Sequence, residues 1–300
     1  MLTRAAFAAR FSARAVFGMV HLDALPGAPL FSSLDEVIAH ALRDACALRD
    51  GGCDGFVVEN FGDRPFTRGR VEAETVAAMT RVIAEIIAIV RLPFGVNVLR
   101  NDPLSALAIA AATGAAFIRV NVHTGAMLTD QGIIEGDAYA TLRKRASLAP
   151  DVLIFADHLV KHATPLADVD PMQSARDLRL RGLADALIVT GAETGAAADP
   201  ARLRMLRDGL GGNVSREPPL TRRFAPPSPL GDEAAAGRGD STGESSTEGN
   251  DAPLLLGSGL TASNARNFAD ADGAIVGTSV KRDGAVDATL VQALVRAFKA

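Results

Sequence analysis

From Ala15 onward the chain repeats one unit: an apolar run of about five residues, a polar or glycine-bearing turn, then an amphipathic stretch of 9 to 21 residues. Eight such units follow one another. The apolar runs lie at 15–21, 55–60, 94–99, 116–121, 152–157, 186–190, 253–257 and 273–277. The amphipathic stretches lie at 33–50, 71–91, 103–113, 137–147, 171–182, 200–208, 261–270 and 286–298. Strands separated by helices of this length must run parallel, because a tight turn joins only antiparallel neighbours. Eight βα units close on themselves more readily than they spread as an open sheet, so the expected fold is an α/β protein of the (β/α)8 TIM-barrel type. Helix starts support the phasing: Ser32 or Ser33 precedes Leu34, and Asp102 and Asp170 each precede a proline at the first helical position.

Two segments stand outside the repeat. Residues 1–14 carry Arg4, Arg10 and Arg14 and no acid. They fit a transit-peptide composition, but a short helix covering one end of a barrel has the same character. Residues 211–252 are rich in Pro, Gly, Ser, Glu and Arg and nearly lack β-branched and aromatic side chains, so they are expected to be a disordered insert. The insert falls between the sixth helix and the seventh strand, opposite the end of a barrel that carries chemistry. The expected organisation is a basic segment over 1–14 and one barrel over 15–300 interrupted at 211–252.

Of the 300 residues, 48% are hydrophobic, enough for a large core, and the formal net charge is −4. With no basic excess, no Trp and one Tyr, there is neither a phosphate-neutralising face nor a base-stacking surface, so nucleic acid is excluded as a partner. Cys46 and Cys53 lack metal-ligand spacing and read as buried thiols of a reducing compartment. The longest apolar stretch, around 82–90, is too short to span a bilayer and is interrupted by Glu85. A soluble, cytoplasmic protein is expected, with residues 1–14 as the only support for peripheral membrane association. The homo-oligomeric state stays open.

In a barrel the C-terminal strand ends build the active site, and here they are polar. The first strand ends in His21 and Asp23, the second in Glu59, the third carries Asn97, and the fourth carries Arg119, Asn121 and His123 at alternate positions. The fifth ends in Asp157 with Lys161 and His162 behind it, and the loop after the sixth holds Glu193. Such groups inside an apolar barrel must pair with one another or meet a ligand. Glu59 and Asp157 are the acid–base candidates, with Arg119, Asn97 and Asn121 to orient substrate oxygens. Lys161 is a Schiff-base or anion-binding candidate. His21, Asp23, His123, Asp157 and His162 could together hold a divalent metal, although no tight ligand motif requires one. At the seventh and eighth strand ends, Gly257-Ser258-Gly259 and Gly277-Thr278-Ser279 bring backbone N–H groups to one place, the pattern of a phosphate site. A small phosphorylated metabolite is the expected ligand, and ordinary strand-to-helix turns are the alternative.

The segments 18–27 (GMVHLDALPG), 54–63 (DGFVVENFGD), 94–102 (FGVNVLRND), 117–123 (FIRVNVH) and Asp157 with 160–163 (VKHA) together resemble the BtpA/SgcQ family. The resemblance runs from about residue 15 to the end, apart from 211–252. It implies a barrel related to the ribulose-phosphate-binding group. It also implies two alternative roles: photosystem I biogenesis at a membrane, or an enzyme of sugar and nucleoside metabolism. Joined to the polar strand ends and glycine loops, these become an isomerase, lyase or hydrolase of a phosphorylated sugar or nucleoside-derived metabolite, or a non-catalytic biogenesis factor for a photosystem I-type membrane complex. It supplies no catalytic residues and no cofactor.

Overall fold

Alternation along the strands decides what fills this molecule. A computed structural model describes residues 1–191, 198–211 and 251–300. The strands are β1 (Ala15–His21), β2 (Gly55–Glu59), β3 (Phe94–Asn97), β4 (Phe117–Val120), β5 (Ala126–Thr129), β6 (Gly132–Glu135), β7 (Leu153–His158), β8 (Thr164–Pro165), β9 (Ala186–Val189), β10 (Leu254–Leu256), β11 (Gly273–Val276), β12 (Lys281–Arg282) and β13 (Ala285–Val286). The α-helices are α1 (Arg4–Phe11), α2 (Leu34–Asp50), α3 (Ala73–Ile89), α4 (Pro103–Thr113), α5 (Ala138–Leu148), α6 (Pro171–Arg176), α7 (Pro200–Gly211) and α8 (Ala288–Lys299). Eight parallel strands close in the order β1-β11-β10-β9-β7-β4-β3-β2, which is the expected TIM barrel.

Inside the lower barrel, Phe17, Phe117 and Phe155 replace a pore with a packed floor. The Phe117 and Phe155 rings stack at 4.2 Å, and Phe17 meets Phe117 edge-on at 5.2 Å. Gly95 makes room for this cluster, since a Cβ there would lie 2.2 Å from the Phe117 ring. Helix α1 then covers the N-terminal end. Thr3 caps it by accepting from the Ala6 N–H, and its buried Phe7 and Phe11 lie 6.1 and 6.0 Å from the Phe155 ring.

The outer layer is helix against strand. A Cβ at Gly18 would fall 2.0 Å from Leu48 Cδ2, so α2 sits on the bare backbone of β1. Caps expected from sequence are formed: Ser33 accepts from Glu36 N–H, Asp102 from Ser105 N–H at 3.0 Å and Asp170 from Gln173 N–H at 2.8 Å.

Three departures matter. The expected helix at 261–270 is only a 3-10 turn over Ala265–Phe268, because Asn264 caps the backbone locally, accepting from Thr261 N–H and donating to the Gly259 carbonyl, each at 2.8 Å. Beyond α6 the backbone continues as a π-helical turn over Asp177–Arg181. A small sheet, β6-β5-β8, unforeseen from sequence, projects beyond the strand ends and packs Met127 and Ile134 with Val122 and Val160. Residues 212–250, nearly all of the expected insert, lie outside the described residues, as does 192–197, which includes Glu193. On either side of that stretch the described chain is ordered into the fold: Gly211 completes α7 and Ala252 is buried in the core.

Candidate functional site

Strand register brings the polar residues to one level above the aromatic floor. His21 on β1 pairs in register with Glu59 on β2, and Glu59 with Asn97 on β3. Asn97 donates from Nδ2 to Glu59 Oε2 in a short hydrogen bond. Across the barrel, Arg119 donates from Nε and Nη2 to the two oxygens of Asp157, each at 3.0 Å, and Asn121 Nδ2 adds a bond to Oδ2 at 2.8 Å. Burial works against the Arg119 charge, but the carboxylates of Asp157 and Glu59 outweigh it and raise the guanidinium above its ordinary value. Three N–H donors therefore occupy Asp157, which suits it to fixing Arg119 and Asn121 more than to taking a substrate proton.

Glu59 is placed differently. Its Oε1 lies 3.7 Å from His21 Nε2, too far for a direct hydrogen bond and near enough for a substrate oxygen to touch both. Burial lowers the His21 imidazole to about 4 against the opposing pull of Glu59, with Lys281, Lys161 and Arg119 adding to the shift. His21 is thus neutral at pH 7 and can accept or relay a proton beside a carboxylate. Phe61, which sequence reasoning missed, stacks on the His21 ring at 4.6 Å and holds its plane. Its signal was its position two residues beyond Glu59.

His21, Glu59, Phe61, Arg119 and Asn121 line a cavity of about 1020 Å³ at the C-terminal mouth, to whose lining Asn97 and Asp157 do not contribute, and the two glycine-bearing loops line it as well. Gly257 N–H belongs to the sheet, donating to the Val189 carbonyl at 2.8 Å, and the Ser258 hydroxyl accepts from Gly191 N–H at 3.0 Å. Gly259 takes a left-handed φ of +68°, which turns its backbone in a way side chains oppose. After β11, residues Thr278–Val280 make one 3-10 turn closed from Val280 N–H to the Gly277 carbonyl. The N–H groups of Gly259, Thr278 and Ser279 have no acceptor among the described residues. At Gly277 a Cβ would lie 3.2 Å from His21 Cε1, so this glycine keeps the loop close to the acid–base pair.

A match to the BtpA family spans residues 12–214. The chain belongs to this family. It is 40% identical over 285 residues to the photosystem I biogenesis protein BtpA of Synechocystis, covering 94% of this chain and 86% of that protein. It is 35% identical over 199 residues to the sgc region protein SgcQ of Escherichia coli, covering 65% of this chain and 73% of SgcQ. Among solved structures, thiamine phosphate pyrophosphorylase from Pyrococcus furiosus aligns over 97% of this chain and 98% of its own with a TM-score of 0.53 at 11% identity, a likeness of fold.

Not every expected residue reaches the mouth of this BtpA-family barrel. His123 was expected on one face with Arg119 and Asn121, but β4 ends at Val120, and the His123 ring turns away to the Gly182 carbonyl, 2.8 Å from Nε2. Burial lowers its imidazole. Asp23 is at the rim and bonds His40 Nδ1 at 2.7 Å, while Lys161 and the exposed His162 line the cavity wall. The five residues considered for a divalent metal are therefore dispersed, and no group of three or more His, Cys, Asp and Glu side chains forms a metal site among the described residues. No helix among the described residues is long and apolar enough to cross a membrane.

Proposed function

We propose that the barrel mouth binds a small phosphorylated sugar or nucleoside-derived metabolite and acts on it by acid–base chemistry. The phosphate sits against the backbone of Gly259, Thr278 and Ser279, and the reacting carbon faces Glu59 and His21. What carries the reading is that N–H groups with no acceptor among the described residues line the same cavity as a neutral histidine beside a carboxylate. The fold neighbour thiamine phosphate pyrophosphorylase, by its name, also handles a phosphate ester. Asn97 aligns Glu59, while Arg119 and Asn121, fixed by Asp157, orient substrate oxygens. Proton transfer between Glu59 and a substrate C–H or O–H, relayed through His21, fits an isomerase, a lyase or a hydrolase. Thermal-shift and calorimetric titration with pentose and hexose phosphates tests the proposal. The wild type is expected to respond and Gly259→Asp, which sets a carboxylate where the phosphate belongs, to lose the response. A panel that leaves the wild type unmoved removes the proposal.

The 40% identity to a photosystem I biogenesis protein favours a second reading, an assembly factor for a membrane complex. It predicts that the intact protein floats with anionic vesicles and that a variant with the exposed Arg4 and Arg10 changed to Gln, which keeps Phe7 and Phe11 in place, does not. Failure of the intact form to float removes the membrane-surface version of this reading.

A further inference from the structure

Cations in the interior of this protein are, as a rule, matched. Arg119 has Asp157, Arg145 has Asp185 at 2.8 Å, and Arg207 has Asp272. Arg179, without an ion pair among the described residues, donates instead to three carbonyls, those of Ala184, Asp185 and Leu2. Arg100 and Lys161 break this rule on the cavity wall. Arg100 is only 8% exposed, yet among the described residues the single acceptor for its guanidinium is the Lys161 carbonyl, 3.0 Å from Nη2. Lys161 is partly buried, and neither residue makes an ion pair among the described residues. Asp130, the acid on the same side, accepts from the Gln131 side chain. Asn121, 4% exposed and also on the cavity wall, leaves its Oδ1 without a donor among the described residues.

Topology gives this pair its meaning. Arg100 follows β3 and Lys161 follows β7, so the two flank the end of β4, and in the ring of eight strands β4 stands opposite β11 and β3 opposite β10. The glycine-bearing loops thus form one wall of the mouth and Arg100 with Lys161 the facing wall, with Glu59, His21 and Arg119 between them. We propose that Arg100 and Lys161 form a second anion subsite, so that the substrate carries an anionic group at each end: a phosphate at the β10 and β11 loops and a second phosphate or a carboxylate at Arg100 and Lys161. The inference rests on the phosphate reading for the first end and extends it to the substrate class. Burial, Arg119 and Arg100 hold the Lys161 ammonium below its ordinary value against Glu59 and Asp157, and burial does the same to Arg100, so an arriving anion relieves a strain already present. Arg supplies a planar fork and Lys a mobile point charge, a combination suited to either anion. Asn121 Oδ1 is left to accept from a substrate hydroxyl between the two ends.

The test is calorimetric titration of the full-length protein with inorganic phosphate, then with fructose 6-phosphate, fructose 1,6-bisphosphate and 6-phosphogluconate. Wild type is compared with Gly259→Asp, Arg100→Gln, Lys161→Met and Lys161→Arg, each first shown to melt cooperatively. Wild type should bind a two-ended ligand roughly 10- to 100-fold more tightly than the monophosphate. Arg100→Gln and Lys161→Met should erase that advantage while leaving monophosphate affinity within about twofold, and Lys161→Arg should retain it. Gain from the bisphosphate alone, or from the phospho-acid alone, identifies the second anion. A second anion that brings no gain, or variants that weaken both ligand types equally, overturns the second subsite and leaves the first. Inorganic phosphate retained in Gly259→Asp but lost in Arg100→Gln overturns the first and supports the second. No binding of any probe to wild type overturns both.

Discussion

Asp157 shows how one side chain in a barrel can look catalytic and be structural in its contacts. It sits at a strand end with three N–H donors on it, two of them from a buried guanidinium. Removing its charge strands Arg119, so Asp157→Asn is expected to destabilise the fold by about 3–5 kcal/mol in urea denaturation. The double change Arg119→Met with Asp157→Leu should recover most of that loss, since it removes both charges together. A double variant as unstable as the sum of the singles speaks against the ion pair as the cause. Titration makes a second residue-scale prediction. Burial lowers His21 to about 4 despite Glu59, and it lowers His158 to about 4 with help from Arg202. His158 Nδ1 faces the Arg202 guanidinium at 3.1 Å while Nε2 donates to the Pro171 carbonyl, a tautomer with no room for a second proton. The unfolded chain takes up these protons near pH 6.5 and the folded chain only near pH 4, so stability is full above about pH 6.5 and falls as pH drops toward 4. Each histidine contributes on the order of 3 kcal/mol to that fall. The pH slope of unfolding free energy should flatten in His21→Gln, and an unchanged slope would remove His21 from the account. His123 illustrates what residue spacing cannot reveal. Alternation holds only while the strand lasts, and β4 ends three residues before it.

Among the elements, α1 gives the sharpest test. Phe7 is fully buried and Phe11 nearly so, closing the lower end of the barrel against Phe17, Phe117 and Phe155. Phe7→Ala should cost about 3–5 kcal/mol in urea unfolding. A loss below about 1 kcal/mol would mean that the helix is a loosely attached cover. The eight strands were legible as short apolar runs and most of the helices by apolar residues gathered on one face, while α4 (PLSALAIAAAT), apolar nearly all round, was marked by its Asp102 cap and Pro103. The β5–β6 hairpin was not. Its strands have four residues each, and β8, the third strand of that sheet, lies about 30 residues further along the chain, so no local periodicity announces the pairing. Residues 261–270 have helical composition, yet Asn264 satisfies the backbone locally and the segment stops at one turn.

For the molecule as a whole, composition and repeat length sufficed for the closed eight-stranded architecture, because eight crossover units leave few other ways to pair every strand. The site was legible only as residue types at strand ends. Which carboxylate is held by donors and which faces the cavity depends on side-chain geometry that spacing does not encode. Binding provides the molecular-scale prediction. A sugar phosphate present at 100 times its Kd should stabilise the fold by about 2.7 kcal/mol, a rise in Tm of several degrees that scales with the logarithm of ligand concentration. A rise independent of concentration would point to a nonspecific salt effect. With the lower end stoppered by Phe7 and Phe11, the described residues form a cup that opens at the C-terminal end. Under the proposed function, substrate would enter and product leave past the same β5–β6 hairpin and glycine loops. A macromolecule settled on that rim would then halt turnover without touching one reacting atom, whereas one seated on the α1 side would leave traffic undisturbed.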